Sequence, residues 1–313
     1  MLSGFFLQLS VNTRPLCGPV KTAKTAVNTA GAHNKFYQLP HRKLYHLIGH
    51  AHPPILSKAI VAQTHANVKL PLLPRHAIMG ITYKVRYQTM YDYMKSNPEE
   101  GAYRGAFDES RRKLRALDPV VIAKNTGCPY DEKTGDFTLD CFGQLLSIPY
   151  PHGDVFFAGT AEKPDISWRL IALNYFSHAV DLPLSGKWIS YKDQPRGAVF
   201  YPNIRQNVIE PMGVFYDSCN PDILKAALPE IGFSIVENKA DLSAQGFFAP
   251  RIPARIQFWA GDEDFPGAFQ LLFDATISEQ MHIEDSVALC SLVADLIQEQ
   301  YRLKLKKTAG DNR

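Results

Sequence analysis

The sequence lacks the local signatures that assign a reaction. It contains no G-x-x-x-x-G-K-[ST] loop, no G-x-G-x-x-G loop and no G-x-S-x-G elbow. Its five cysteines include no C-x-x-C pair, which argues against a zinc ribbon, a thioredoxin-type redox pair and a local four-cysteine iron–sulfur motif. These absences favour reduced thiols in a cytoplasmic protein.

Long apolar runs are also missing. No stretch approaches the ~18 uninterrupted apolar residues of a membrane-spanning helix, so we expect no membrane association. No positively charged segment precedes the apolar opening MLSGFFLQLS, so the sequence does not predict a secretory signal.

Acidic residues are absent from residues 1–78, which hold nine of the 34 Lys and Arg and seven of the ten His. The remaining residues carry 25 basic and 31 acidic side chains, so the basic balance belongs to the first segment alone. The acidic body argues against a nucleic-acid partner. Three explanations of residues 1–78 stay open: a disordered basic arm, an organellar transit peptide, or an extension that is not part of the natural protein.

Regular hydrophobic patterns begin at Met79 and predict a mixture of helices and strands without a βαβ rhythm. We therefore predict an α+β domain with a mainly antiparallel sheet over residues 79–305, followed by a frayed tail at 306–313. The predicted helices are 83–95, 105–117, 166–180, 204–215, 222–228 and 283–303. The predicted strands are one or two within 137–148, then 233–236, 254–259 and 268–273.

Two stretches combine aromatic and charged residues and form our candidate ligand surface. The first, SGKWISYKDQPR, has a tight turn that leads to Lys187 and Trp188. The second, RIPARIQFWAGDEDFPG, has a stiff, glycine- and proline-bounded loop. Such a surface would bind an amphipathic ligand, an anion or a cofactor. The predicted residues of the second stretch are Arg251, Trp259, Asp262, Glu263 and Asp264.

An alternative uses the carboxylates alone. Asp262 and Asp264 would converge with Glu284 and Asp285 at the start of the last helix, to hold a hard cation or supply a general acid. The competing explanation is local, because acidic residues are favoured both in hairpin tips and in first helical turns. His178, on the apolar helix 166–180, is interpreted as a core or boundary residue.

Four motifs in order resemble a family known as a domain of unknown function, found chiefly in anaerobic bacteria and archaea. They are SWRLIALNYF, PLSGKWISYKDQPRG, RIPARIQFWAGDEDFPGAFQLLFD and HIED, and the resemblance covers about residues 80–305. Some relatives carry an adjoining four-cysteine iron–sulfur domain of the kind seen beside corrinoid proteins. The resemblance therefore implies a role near iron–sulfur or corrinoid metabolism, with an iron–sulfur or corrinoid protein as partner. This chain lacks the four-cysteine domain, so any cluster would belong to the partner.

Two functional hypotheses follow. The first is a non-catalytic accessory protein that binds a ligand or cofactor whose identity the sequence does not specify. The second is an enzyme that uses the carboxylates, with or without a divalent cation, on a small molecule.

Overall fold

The structure, a computed structural model, describes residues 92–95 and 97–311. Residues 1–78, the predicted start at Met79 and most of the predicted helix 83–95 lie outside these residues. Only Asp92–Lys95 of that helix is described, as a short 3₁₀ turn. The described residues form an α+β fold with two antiparallel sheets, as the patterns predict.

Two helices precede the smaller sheet: α1, Arg104–Arg115, and α2, Pro119–Thr126. Asp118 caps α2, because its side chain accepts a hydrogen bond from the Val120 N–H at 2.8 Å. The four strands of this sheet pair in chain order. They are β1, Tyr130–Asp131; β2, Asp136–Cys141; β3, Gln144–Pro149; and β4, Phe156–Phe157.

The helix α3, Ile166–His178, forms the centre of the core. Most of its residues are buried, which matches its nearly continuous apolar sequence. Trp168 stacks on Phe248 of the larger sheet with ring centroids 6.5 Å apart. Asp165 caps the helix by accepting a hydrogen bond from the Ser167 N–H at 2.9 Å.

The larger sheet has five strands in the order β5-β9-β8-β7-β6, all antiparallel. Most of the candidate residues lie at the two opposite ends of its strands. The strands are β5, Trp188–Ser190; β6, Ser234–Ile235; β7, Leu242–Ala249; β8, Ile252–Trp259; and β9, Ala268–Asp274.

Helices cover one face of this sheet. The ring of Tyr216 in α5 stacks on Phe258 of β8, with centroids 4.8 Å apart. A π-helical turn, Arg205–Ile209, joins α4 to α5. Pro202 and Pro211 lack N–H groups, which explains a non-standard hydrogen-bond ladder here. These helices are α4, Gly197–Ile204; α5, Glu210–Ser218; and α6, Pro221–Ala227.

The chain ends in α7, Ile277–Gln280, and the long helix α8, Ile283–Asp311. We predicted that α8 would end at Leu303 and that the tail would fray, but the helix continues to Asp311. The residues after Leu303 are mostly Lys, Leu and Ala, which favour a helix. Within the described ranges, no helix is both long and apolar enough to cross a membrane.

Candidate functional site

The buried carboxylate of Asp274, at the end of β9, fixes the turn that precedes β5. It is 2% exposed and accepts hydrogen bonds from the backbone N–H groups of Ser185, Gly186 and Thr276 at 3.1, 2.7 and 3.0 Å. The hydroxyls of Ser185 and Thr276 donate two more, at 2.9 and 2.8 Å. Burial alone would raise the pKa of Asp274, but these hydrogen bonds outweigh it and the pKa is lowered. The turn that leads to Lys187 and Trp188 is therefore firmly anchored.

Trp188 and Arg255 form the contact that distinguishes this end of the sheet. The Arg255 guanidinium carbon lies 4.0 Å from the centroid of the Trp188 ring, within cation–π range. Arg255 Nη2 donates to Gln245 Oε1 at 3.0 Å, and the Nε–H is inaccessible to solvent and has no hydrogen-bond partner. Burial lowers the pKa of Arg255.

Arg255 has no acidic partner among the described residues. The ion pairs of residues 92–95 and 97–311 include Arg251 with Asp181 and Arg205 with Glu210, but none with Arg255. A half-buried cation without a counter-charge has an energetic cost, because water no longer solvates it fully. Such a group marks a candidate site for an anion.

The strand register places Trp188 and Arg255 on one face of the larger sheet. Arg255 of β8 lies between Leu272 of β9 and Gln245 of β7. Apart from the buried Ser243, Pro253 and Asp274, the described strand side chains on this face are half-buried or exposed, and Arg255 is the only cation among them. We call this surface the Trp188–Arg255 face. It is defined by Trp188, Gln245, Arg255, Gln257, Trp259 and Gln270.

The predicted ligand surface is divided between the two ends of the sheet. Trp188 pairs with Asp274, whereas Trp259 pairs with Ala268, six residues away along β9. At a rise of about 3.4 Å per residue, the two ends are about 20 Å apart. Lys187 and Trp188 therefore do not share a compact site with the acidic triplet, although Trp188 and Trp259 share the open face.

The acidic triplet belongs to a pinned loop between β8 and β9. The carboxylate of Asp217, in α5, accepts hydrogen bonds from the N–H groups of Gly261 and Gly267 at 2.8 and 2.6 Å. Asp262 Oδ1 accepts from the N–H groups of Asp264 and Phe265 at 2.9 and 2.8 Å. The loop borders an open depression of about 410 Å³. Asp262, Glu263 and Asp264 are exposed, so their carboxylates have ordinary solvated surroundings.

The guanidinium of Arg251 is hydrogen-bonded to acceptors within the protein. Its guanidinium donates to the carbonyl oxygens of Leu182 and Lys124 at 2.7 and 2.8 Å and to Asp181 Oδ1 at 2.6 Å. These bonds tie the β7–β8 turn to the ends of α2 and α3. Arg251 thus has three protein acceptors, and its contact with a ligand stays a prediction.

The alternative carboxylate site does not assemble. The start of α8 lies beside β5, since the Tyr191 hydroxyl donates to the Ile283 carbonyl at 3.2 Å, whereas Asp262 and Asp264 lie at the far end of β9. In the part of the chain that the structure describes, no group of three or more His, Cys, Asp and Glu side chains is arranged to hold a metal ion. The alternative assumed that the acidic end of the β8–β9 hairpin lies near the start of the last helix, and the structure places the two at opposite ends of β9.

Asp285 has its own surroundings in the first turn of α8. It is 7% exposed, and Asn174 Nδ2 donates to both of its oxygens, at 2.9 and 3.1 Å. Burial raises the pKa of Asp285 to about 7, and the hydrogen bond from Asn174 opposes that rise. Glu284, the neighbouring residue, is exposed.

Comparison with known families now adds one finding. Residues 118–296, more than half of the chain, match a domain of unknown function, DUF3786. The chain belongs to the DUF3786 family. Neither a curated protein nor a solved structure matches this DUF3786 protein. The match starts at the cap of α2 and ends within α8, so it includes both sheets and the Trp188–Arg255 face.

Arg255 is the residue that the sequence interpretation missed. The alternation in RIPARIQFW places it on the same strand face as Trp259, because residues four apart on a strand point the same way. That signal was present in the sequence. Its contact with Trp188 depends on the register of β5 against β9, which no local pattern specifies.

Proposed function

We propose that this DUF3786 protein is a cytoplasmic, non-catalytic accessory protein that binds an anionic ligand or cofactor on the Trp188–Arg255 face. We further propose that it acts in iron–sulfur or corrinoid metabolism of anaerobes, with a cluster or corrinoid protein as partner. The metabolic assignment is supported by the family resemblance of the four sequence motifs. The ligand assignment is supported by the surroundings of Arg255.

The observation that carries the proposal is a half-buried guanidinium that has an aromatic ring against it and no acidic partner among the described residues. Gln245 accepts from one of the five N–H donors of Arg255 and the Nε–H is sealed from solvent, so the remaining Nη1 and Nη2 donors are left for a ligand. A guanidinium suits carboxylate and phosphate groups, because its donors match their paired oxygens. The Trp188 ring adds a surface for a planar group.

The charge pattern of the face supports an anion over a cation. Asp274 is the only acidic residue that the strands place on this side, and its five hydrogen bonds leave it committed to the Ser185–Gly186 turn. An incoming anion therefore meets Arg255 and the amides of Gln245, Gln257 and Gln270 without a free carboxylate nearby.

A titration of the full chain with adenosine monophosphate tests the proposal, because this probe joins a planar ring to a phosphate. Calorimetry is expected to show binding that is at least about tenfold weaker for Arg255→Gln, a loss of about 1.4 kcal/mol. Arg205→Gln is the matched control, since Arg205 is 62% exposed and pairs with Glu210 away from this face. Equal affinities for the wild type and Arg255→Gln would count against an anion site here.

One observation favours the second candidate function, an acid–base enzyme. The pKa of the buried Asp285, raised to about 7, suits proton transfer near neutral pH. The metal-dependent form of this candidate has no support from the described carboxylates. Elemental analysis tests the metal-dependent form alone: stoichiometric Mg, Mn or Ca in the purified protein would favour that enzyme over the accessory protein.

A further inference from the structure

Two histidines, one at the end of α3 and one just before α8, lie against each other near the surface. His178 is the last residue of α3, and His282 directly precedes α8. Their ring centroids are 4.0 Å apart, with the planes tilted by 41°. The contact is fixed by helix packing, because Asn174, one turn before His178, is hydrogen-bonded to Asp285, just beyond His282.

Neither imidazole ring has a hydrogen-bond partner among the described residues, and no ring nitrogen of the pair is sealed from solvent. We interpreted His178 as a core or boundary residue, and the structure places it at the boundary, half-buried. His178 is half-buried and His282 is exposed, so water or an ion reaches the pair from outside. The side chain of Asn174 is occupied by Ser110 and Asp285 and does not serve the rings.

The surroundings keep both rings in the form that has a free lone pair. Burial, the neighbouring His282 and Lys113 lower the pKa of His178 to about 4. Burial and Lys113 also lower the pKa of His282, against an opposing effect of Glu284. At neutral pH both imidazoles are therefore uncharged.

The charged groups that face the pair come from two helices. Lys113 of α1 lies 3.9 Å from Glu109, which offsets part of its charge, and α8 contributes the exposed Glu284 and the buried Asp285. The pair thus has one exposed carboxylate nearby, two residues beyond His282. A ring-to-ring contact between uncharged histidines satisfies no donor or acceptor, whereas a shared cation would satisfy both rings.

We propose that His178 and His282 together bind one first-row transition-metal ion of the zinc type. Imidazole nitrogens suit Zn²⁺, Co²⁺, Ni²⁺ and Cu²⁺, whereas Mg²⁺ and Ca²⁺ require oxygen ligands. In the metal-bound form each ring would turn about its Cβ–Cγ bond so that one nitrogen points at the ion. The remaining coordination positions fall to water and other exchangeable ligands, because the described residues provide no third metal-binding side chain in place. The site is independent of the Trp188–Arg255 face.

The test uses the metal-free full chain and Zn²⁺ alone as probe. Thermal unfolding is expected to shift upward with Zn²⁺, because an ion bound to the folded state stabilises it. His282→Gln is expected to weaken the apparent Zn²⁺ affinity, obtained from the unfolding shift, at least tenfold. His178→Gln is expected to weaken it by a similar factor. His282 is exposed, so its replacement leaves the fold intact even where that of His178 does not.

Two controls isolate the pair from other histidines. His152→Gln removes an exposed histidine from the turn after β3 and is expected to leave the Zn²⁺ effect unchanged. The seven histidines of residues 1–78 are present in every variant, so their contribution cancels. Arg255→Gln should also retain the Zn²⁺ effect, which separates this site from the proposed function.

The pH dependence gives a second readout. An ordinary histidine loses metal affinity as it becomes protonated below a pKa of about 6.5. Because the pKa values of His178 and His282 are lowered, the Zn²⁺ effect is expected to be lost at a lower pH than for an ordinary histidine. Equal Zn²⁺ stabilisation of the wild type and His282→Gln at neutral pH would overturn the proposal.

Discussion

At each of the two ends of the larger sheet, an aspartate carboxylate accepts hydrogen bonds from backbone N–H groups, but the two carboxylates differ in burial. At one end Asp274 gathers the N–H groups of the Ser185–Gly186 turn, and at the other Asp217 gathers those of Gly261 and Gly267. Asp274 is buried, whereas Asp217 is exposed. The turn at Ser185–Gly186 and the acidic loop are both exposed, so the difference is that a buried carboxylate anchors the first and an exposed carboxylate anchors the second.

The difference shows which charges are available for binding. At the Asp217 end, every carboxylate of the triplet is exposed, and Asp262 is used in the turn of the loop itself. At the Asp274 end, the charge left without a partner among the described residues is the Arg255 guanidinium. The more conspicuous sequence feature, GDEDFPG, thus has a local structural explanation, and the less conspicuous arginine does not.

The largest expected effect separates the two aspartates. Asp274→Ala removes the buried acceptor of five hydrogen bonds, two of them from the buried Thr276, and is expected to lower the free energy of unfolding by about 3–5 kcal/mol. Asp217→Ala exposes its donors to water and should cost only about 1 kcal/mol. Chemical denaturation of both variants checks the comparison. Equal losses would show that burial does not distinguish the two ends.

Asp285 offers a pH-dependent test at the Trp188 end. Its folded pKa of about 7 lies above the ordinary 3.8, so its stability contribution is full at acid pH and is lost as pH rises through 7. Asp285→Asn removes that loss. The free energy of unfolding of the variant, relative to that of the wild type, should therefore rise by up to about 4 kcal/mol between pH 4 and 8. Unfolding curves across this range provide the measurement. Glu284→Gln, at the exposed neighbouring position, is the control, and a flat difference would refute the buried-acid assignment.

A smaller effect is expected where α5 meets the acidic loop. A Cβ atom on Gly213 would lie 2.2 Å from the Gly267 carbonyl oxygen, so Gly213→Ala must displace the loop or the helix. We expect a loss of about 2–3 kcal/mol in the free energy of unfolding. Gly105→Ala is the matched helical control, since nothing lies within 4 Å of its added Cβ, and it should gain up to about 1 kcal/mol. A neutral Gly213→Ala would show that the loop is not held as described.

The smallest effect concerns the tip of the acidic loop. Phe265 is 71% exposed, so Phe265→Ser should change the free energy of unfolding by less than about 0.5 kcal/mol. Thermal unfolding of this variant beside Asp217→Ala sharpens the comparison. A larger loss from Phe265→Ser than from Asp217→Ala would mean that the ring, and not the carboxylate, stabilises this end.

Local patterns in the sequence predicted the elements with strong periodicity. The apolar run around Trp168 predicted α3, and the alternation in RIPARIQFW predicted β8. The strand β7 was missed because LSAQGFFA contains Gly246, which ordinarily weakens a strand. In this fold Gly246 leaves room for the rings of Phe142 and Phe233, so tertiary packing explains a residue that local propensity disfavours.

The candidate site was only half predictable for a related reason. Trp188 and Trp259 were identified from their composition, but the distance between them follows from strand register. The acidic triplet was expected near Glu284 on the assumption that the acidic end of the hairpin lies near the start of the last helix. A strand of seven residues intervenes and places them at opposite ends of the sheet.

The most direct test of the central claim is anaerobic purification of the full chain, followed by absorption spectroscopy and mass spectrometry of whatever it retains. The account predicts an anionic molecule that the wild type and Arg205→Gln retain and that Arg255→Gln loses. The same molecule retained by Arg255→Gln, or a wild type that carries only uncharged or cationic molecules, would contradict it.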